Sequence, residues 1–309
     1  MSPSFILAPM AELSHRALRE LIESFGGADE YFTEMISAAA LIDNGPFESW
    51  YLDGGPCPEK LVYQLVSGNA NLLGKAVDIL DKKECLGIDI NMGCSAPLIT
   101  RQGAGVRWMA DIDKAGALIQ NLRPRTRRRL SVKLRTGITD DFDYLVRFCR
   151  RLEDEGIELI TLHPRTAKEK FKGRARWNYV GMLRKELRIP LYGNGDIASR
   201  EEMLTRGDDC TGVMIGRLAV RRPWSFAEAR GRAHGVSIQE TGLRFLELLA
   251  RYQPPEFHLS RARRFFSYFC DNLKWGTHVK NLLNREPGLS GIEKAWNQYF
   301  LEVKPDGQL

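Results

Sequence analysis

Eight short apolar runs punctuate the first three quarters of the chain, at residues 5–10, 30–35, 61–67, 88–92, 130–135, 159–163, 190–194 and 212–216. Most are continuous rather than alternating, the pattern of parallel strands covered on both faces. Between them, apolar residues recur at helical spacing. Ala17, Leu18, Leu21, Ile22 and Phe25 mark a helix over 16–25, preceded by Ser14 as a candidate cap and stopped by Gly26-Gly27. Asn69, Asp111 and Asp141 precede helical patterns over 72–80, 115–122 and 145–152. Ser199 with Glu202 three residues on has the spacing of a capping box. Eight strand–helix repeats over about 230 residues predict an α/β chain folded as a TIM (β/α)8 barrel.

After Trp224 the strand pattern stops. Residues 241–300 read as helices only, with Gln253-Pro254-Pro255 and Glu286-Pro287-Gly288 as breakers. A small all-helical C-terminal domain over 239–309 is expected to follow a barrel domain over 1–238. Its aromatics, among them Phe265, Phe266, Phe269 and Trp296, are expected in the core. Its basic residues Arg261, Arg263, Arg264, Lys274, Lys280 and Arg285 could face a phosphate backbone.

Composition narrows the class. The 309 residues are 43% hydrophobic and 27% charged, ordinary for a globular chain. A net charge of +6 is compatible with a polyanionic partner. The six cysteines are scattered, with no CxxC pair and no histidine at metal spacing. No disulfide framework or metal site is expected, and a reducing cytoplasm is the default. The first residues lack a basic segment before their apolar run, so no signal peptide is expected, and no apolar stretch reaches membrane-spanning length. A monomer is expected. The densest basic run, Arg123 to Arg129, falls between a helix and a strand. That is the barrel face away from the chemistry, so it reads as a solvated surface.

Barrel enzymes do chemistry at the carboxyl ends of their strands. Strand one ends in Ala8-Pro9-Met10, and strand three carries Gln64. Strand four delivers Asn91 and then Cys94, at the root of a Gly- and Pro-rich loop. Alone, that thiol is an even choice between a buried small residue and a functional one. Strand five carries Lys133 and Arg135 in an apolar run, and a lysine there is costly unless it meets an anion. Strand six ends in His163-Pro164-Arg165, strand seven in Asn194-Gly195-Asp196, and strand eight in Gly216-Arg217. Loops seven and eight suit a phosphate, with Gly195 and Gly216 allowing close backbone approach and Arg217 a forked contact. A lysine at the electron-rich edge of a flavin stabilises its reduced anion. Together these ends suggest a flavin mononucleotide (FMN) barrel with a thiol facing the ring.

The same motifs, in the same order, resemble the tRNA-dihydrouridine synthases: Ala8-Pro9-Met10, Asn91-Met92-Gly93-Cys94 with Gly103-Ala104-Gly105, Val132 to Gly137, His163-Pro164-Arg165-Thr166, Asn194 to Ile197 and Met214 to Arg217. The resemblance implies an FMN enzyme reduced transiently by NADPH, with tRNA as partner. Hydride would pass to C6 of a uracil, and Cys94 would protonate C5. An ordinary thiol, with a pKa near ~8.5, carries its proton at neutral pH. The uridine would have to be flipped into the pocket. By the same resemblance Ala8, Pro9, Met10, Gln64, Lys133, His163, Asn194, Gly195, Asp196, Gly216 and Arg217 would bind the cofactor. Asn91, Arg135 and Arg165 would contact the substrate. The tail, around His258 to Tyr268 and at Leu282-Leu283-Asn284, resembles the bacterial C-type enzymes, which act at D-loop position 16. Departures gather near the thiol. Ser95 stands where the family has proline, Leu98 where a basic residue is common, Lys168-Glu169 where a Gln is frequent, and Val106 to Met109 replace a small-residue run. The competing reading is an FMN-dependent small-molecule oxidoreductase of the dihydroorotate dehydrogenase type, which shares the lysine and phosphate logic but needs no helical tail.

Overall fold

The computed structural model describes residues 3–232 and 235–302. Eight parallel strands close one barrel in sequence order. They are β1 (Ser4–Leu7), β2 (Glu30–Ser37), β3 (Leu61–Val66), β4 (Gly87–Met92), β5 (Arg129–Gly137), β6 (Leu159–Thr166), β7 (Leu191–Asn194) and β8 (Gly212–Ile215), with β1 paired to β8. The runs read from sequence are these strands, shifted at their ends. β1 stops early: Ala8 still donates to the Ile215 carbonyl at 2.9 Å, but Pro9 has no N–H with which to continue. β5 and β6 run past expectation, because a register shift after Arg135 lets Gly137, at φ +139°, pair with Thr166.

Side-chain caps start the helices as anticipated at Asn69, Asp111, Asp141 and Ser199. The box at Ser199 is offset, since Glu202 accepts from the Ala198 N–H. Ser14 is not the cap of the helix Arg16–Ser24, whose N-cap is His15. The Ser14 hydroxyl instead accepts from the Met10 N–H at 2.9 Å, and Met10 O accepts from that hydroxyl. It clamps the turn after β1.

The tail is four helices, Ile238–Tyr252, Pro255–Phe269, Gly276–Arg285 and Leu289–Glu302. Residues 303–309 of the expected helical domain lie outside the described residues. The aromatics are core: Phe245 stacks on Phe265, and Phe266 packs on Trp296 at 4.9 Å between ring centres. Their burial is contiguous with that of the barrel helices. The helix Ile238–Tyr252 lies on the helix Arg16–Ser24, where the Arg16 guanidinium sits 3.9 Å over the Tyr252 ring.

Two expectations about charge are corrected here. Arg261 does not face outward. It is 2% exposed and pairs at 3.0 Å with Glu34 of β2, itself 5% exposed. Glu34 also accepts from the Glu12 N–H in the loop after β1. Likewise Arg263 donates to the Glu286 carbonyl and Lys280 pairs with Asp271, leaving Arg264, Lys274 and Arg285 exposed. The run Arg123 to Arg129 lies away from the chemistry as anticipated, but it is not merely solvated. Arg123 meets Glu158, Arg125 meets Asp78, Arg128 donates to the Lys83 and Cys85 carbonyls, and Arg129 forks onto Glu30. These guanidiniums fasten neighbouring repeats at the amino-terminal face.

Removing one partner of a buried ion pair costs about 3–5 kcal/mol, because the other charge is left desolvated. Arg261→Met is therefore expected to lower stability by roughly that amount. Adding Glu34→Gln, whose amide oxygen can still take the Glu12 N–H, should recover part of the loss. Denaturant midpoints of the single and double variants check this.

Candidate active site at the barrel mouth

Most of the candidate site residues stand at the carboxyl ends of the strands or in the loops directly after them, with Gln64 and Lys133 within β3 and β5, and the barrel gathers them at and just beneath one mouth. Asn91 is the second-last residue of β4, which is buried throughout, and its side chain turns the chain that follows. Its Oδ1 accepts from the Gly93 N–H at 3.2 Å and the Cys94 N–H at 2.9 Å. Cys94 is left half-buried. The Gly103-Ala104-Gly105 segment folds back onto it, since Val106 donates to the Cys94 carbonyl at 2.9 Å. A Cβ at Gly105, which sits at φ +62°, would lie 2.3 Å from that carbonyl oxygen. Trp108 is buried and donates to the Ser67 carbonyl at 2.8 Å, docking the loop on the end of β3. The indole that breaks the family pattern thus anchors the loop. Leu98, on the short helix Pro97–Arg101, is 70% exposed at the outer edge of the same loop.

Lys133 reaches inward from β5 and donates to Asn194 Oδ1 at 3.0 Å. Asn194 Nδ2 is committed to the Met214 carbonyl at 2.8 Å, which fixes its oxygen towards the ammonium. Burial, reinforced by Arg135, lowers the Lys133 pKa to about 8, while Asp89 and Cys94 oppose the shift. Gln64 is fully buried, donates to Asp89 and accepts from Asn91.

The opposite side of the mouth is cationic. Arg165, 2% exposed, pairs with Asp196 at 2.6 Å and donates to the Lys172 and Gly173 carbonyls. Its Nη1 lies 3.2 Å from His163 Nε2. A guanidinium only donates, so Nε2 accepts and the His163 proton sits on Nδ1. Burial first, then Lys133, Arg135, Arg165 and Arg217, push the His163 pKa down to about 2. The ring is neutral and cannot serve as a general acid. Arg135 donates to the Gly93, Thr166 and Lys170 carbonyls, tying the thiol loop to the loop after β6. Asp196 accepts from the Ala175 N–H at 2.7 Å and lies 3.6 Å from Arg217. Burial alone would raise its pKa, but that N–H and the Arg165 guanidinium hold it below the usual carboxylate range. Gly195, at φ +115°, passes close under His163, where a Cβ would come within 2.8 Å of the ring. A Cβ on Gly216 would lie 3.3 Å from Met10 Sδ, in ordinary packing distance of Ala8 as well.

Two neighbours of the mouth, Phe171 and Trp177, escaped the sequence reading, and Glu169 entered it only as a departure from the family pattern. Phe171 is 69% exposed, with His163 at 6.3 Å and the Arg135 and Arg217 guanidiniums at 5.7 and 6.0 Å. An aromatic between Lys170 and Lys172 was the available signal. Trp177 donates to the Gly195 carbonyl at 2.9 Å and supports the turn from behind. Glu169 closes the loop after β6. Its bond with Arg176, together with those from Thr166, brings its pKa down to about 2 despite some burial.

With the geometry in hand, comparison with known proteins is decisive. The dihydrouridine synthase (Dus) family model matches residues 6–303. The chain belongs to the dihydrouridine synthase family. A relative from Aquifex aeolicus (strain VF5), named a probable tRNA-dihydrouridine synthase, is 33% identical over 231 residues, covering 72% of this chain and 71% of the relative. One of the same name from Rhizobium leguminosarum bv. phaseoli is 28% identical across 94% of this chain and 88% of its own length. A Mus musculus protein named tRNA-dihydrouridine(47) synthase (NAD(P)(+))-like is 28% identical over 93% of this chain but only 46% of that protein. Among solved structures, 2-naphthoyl-CoA reductase in complex with 2-naphthoyl-CoA superposes with a TM-score of 0.56 at 9% identity, covering 74% of this chain and 50% of that one, a likeness of fold alone. The family match leaves the small-molecule oxidoreductase reading without support. No helix among the described residues is long and apolar enough to cross a membrane, and no cluster of His, Cys, Asp and Glu among them could hold a metal.

Gly195→Ala tests how tightly the mouth is built. The new methyl must displace the His163 ring from a backbone already at positive φ. A loss of about 1–3 kcal/mol in stability is expected, read as a lower melting temperature, together with a shifted His163 ring signal by NMR.

Proposed function

We propose that this chain reduces a uridine of tRNA to dihydrouridine, using FMN at the barrel mouth and a nicotinamide dinucleotide, NADPH first, as the transient reductant. Family membership and the relatives' names support the reaction. The single structural observation that carries the cofactor is the Lys133 ammonium, held in the mouth with the neutral amide of Asn194 as its hydrogen-bond partner.

The donor set fits the group. Lys133 stands ready for the anionic edge of a reduced ring, and neutral His163 offers its Nδ1–H. Gly195 and Gly216 keep side chains out of the two phosphate loops, and Arg217, its side chain 56% exposed, can reach a phosphate. Asn194 and Asp196 support this pocket rather than fill it: one orients Lys133, the other Arg165. Arg135 and Arg165 likewise give donors to loop carbonyls, so they shape the substrate pocket from within. When bound and reduced, FMN supplies the hydride that C6 of the uracil receives. Cys94 holds the second hydrogen at Sγ and gives it to C5, so that the C5–C6 double bond becomes single. The thiolate then recovers its proton from solvent. Arg135, through the Gly93 carbonyl, and Asn91, through the Cys94 N–H, hold the loop that carries that sulfur.

The exposed tail cations Arg264, Lys274 and Arg285 are where the tRNA backbone would lie. The tail's resemblance makes D-loop position 16 the expected target. Dihydrouridine mapping in tRNA from cells lacking the gene tests reaction and position together: loss at position 16 is expected, and loss at position 47, the position in the mouse relative's name, would move the target.

Two further outcomes follow. Cys94→Ala should keep flavin reduction by NADPH and lose dihydrouridine formation by at least about 10²-fold; unchanged turnover would remove the thiol from the chemistry. Lys133 loses its proton near pH 8 in the cofactor-free protein, and FMN is anionic, so binding takes up that proton as pH rises. FMN affinity should be level near pH 7, begin to fall as pH approaches 8 and drop above it by up to about tenfold per unit. Fluorescence titrations of apoprotein check the slope, and Lys133→Met should bind FMN more weakly at pH 7 and abolish the slope.

A further inference from the structure

A buried hydrogen-bond chain runs beneath the mouth and ends at the thiol loop. Ser131 Oγ donates to Asp89 Oδ1 at 2.7 Å. Gln64 Nε2 donates to Asp89 Oδ2 at 2.8 Å. Asn91 Nδ2 donates to Gln64 Oε1 at 2.9 Å. Asn91 Oδ1 then accepts the N–H groups of Gly93 and Cys94. Asp89, Gln64 and Ser131 are each 0% exposed, and Asn91 is 6% exposed.

An amide side chain can be turned over, exchanging its oxygen and nitrogen with almost no change of shape. An ionised carboxylate has no such freedom, because it only accepts. We infer that Asp89 is a positioning residue: it sets the direction of the Gln64 and Asn91 amides and thereby holds the Cys94 loop in place. With Asp89 accepting, Gln64 must point its nitrogen down and its oxygen at Asn91. Asn91 must then point its nitrogen at Gln64 and its oxygen at the loop. Were Gln64 turned over, Asn91 would turn with it, and its NH2 would face the N–H groups of Gly93 and Cys94. The loop would lose both bonds.

The same direction gives the mouth its polarity. Asn91 keeps one N–H beyond the one in the chain, so a group that reaches it meets a donor. A ring carbonyl, as in a uracil or the pyrimidine part of a flavin, satisfies that donor, and an exocyclic amino group does not. This selectivity rests on the function proposed above; the hold on the loop does not. Lys133 and Arg129 are the cations that act on Asp89. Burial raises its pKa to about 6 against the bonds from Ser131 and Gln64, so it is ionised where the protein would work.

The test reads the loop and not the reaction. Amide hydrogen exchange at Gly93 and Cys94 is measured in the full-length chain and in three variants, with melting temperatures recorded alongside. Asp89→Leu and Gln64→Met cut the chain from its two ends, and each should speed exchange of those two amides by at least about tenfold, leaving the amides of β7 protected as in the parent. Asp89→Asn can still accept from Gln64 with its oxygen and donate to Ser131 with its nitrogen. Its amide can itself be turned over, as a carboxylate cannot, so it should speed exchange at both amides, though by less than Asp89→Leu. If both cutting variants leave Gly93 and Cys94 protected, the inference falls. If Asp89→Asn leaves both amides at the parent rate, a group that only accepts is not needed to set the direction, and the inference falls as well. Should Asp89→Leu not fold, Gln64→Met decides. A parent chain that makes no dihydrouridine would overturn the proposed reaction while leaving these rates, and the positioning role, untouched.

Discussion

A half-buried ammonium bonded to an amide is the constraint on which the barrel mouth depends. Lys133 carries its charge from the middle of β5 towards a mouth where Arg135, Arg165 and Arg217 already stand. Among the described residues it has no ion-pair partner. The surrounding choices follow from that load. Asn194 is pinned by Met214 so that its oxygen, not its nitrogen, faces the lysine. His163 is driven to its neutral form. Asp89 is kept one layer down, near enough to act on Lys133 and far enough not to occupy its donors. A site so charged is built to receive negative charge.

The loops that surround this charge are held by guanidiniums bonded to backbone carbonyls. Arg135 collects carbonyls from two loops, and Arg165 collects two more from the loop after β6. Irregular backbone cannot pair with itself as a strand does, so buried carbonyls need donors from elsewhere. An arginine brings five in a fixed fork. The mouth therefore gains order and positive potential from the same side chains.

Much of this was legible in the sequence, and the limits have physical causes. Strand runs in a parallel barrel are buried on both faces, so their hydrophobicity is plain, and all eight were found. Lys133 stood out because a charge in such a run has to be explained. Cys94 gained its meaning from position at a strand end. What could not be read were partners distant in sequence. Arg261 looked like surface because an exposed arginine and one paired with Glu34 have the same local pattern. The run from Arg123 to Arg129 misled for the same reason. Ser14 had the spacing of a cap, yet Met10 offered it both a donor and an acceptor. Phe171 lies in a loop without periodicity, where one aromatic letter carries little signal. The direction of the amide chain under Cys94 is likewise invisible until β3, β4 and β5 are laid side by side.

The buried pair between Glu34 and Arg261 has a consequence for the order in which the molecule is made. A chain grows from its amino terminus, so all eight strands emerge before Arg261 exists. During that interval Glu34 has its Glu12 N–H and the more distant charge of Arg19 but not its ion-pair partner, and the face of the helix Arg16–Ser24 that the tail covers stays wet. The turn carrying Met10 is joined to the same carboxylate through Glu12. The nascent barrel can thus close its sheet while one edge of its mouth is still unset, and translation of the last helices completes a site whose visible residues were all made long before.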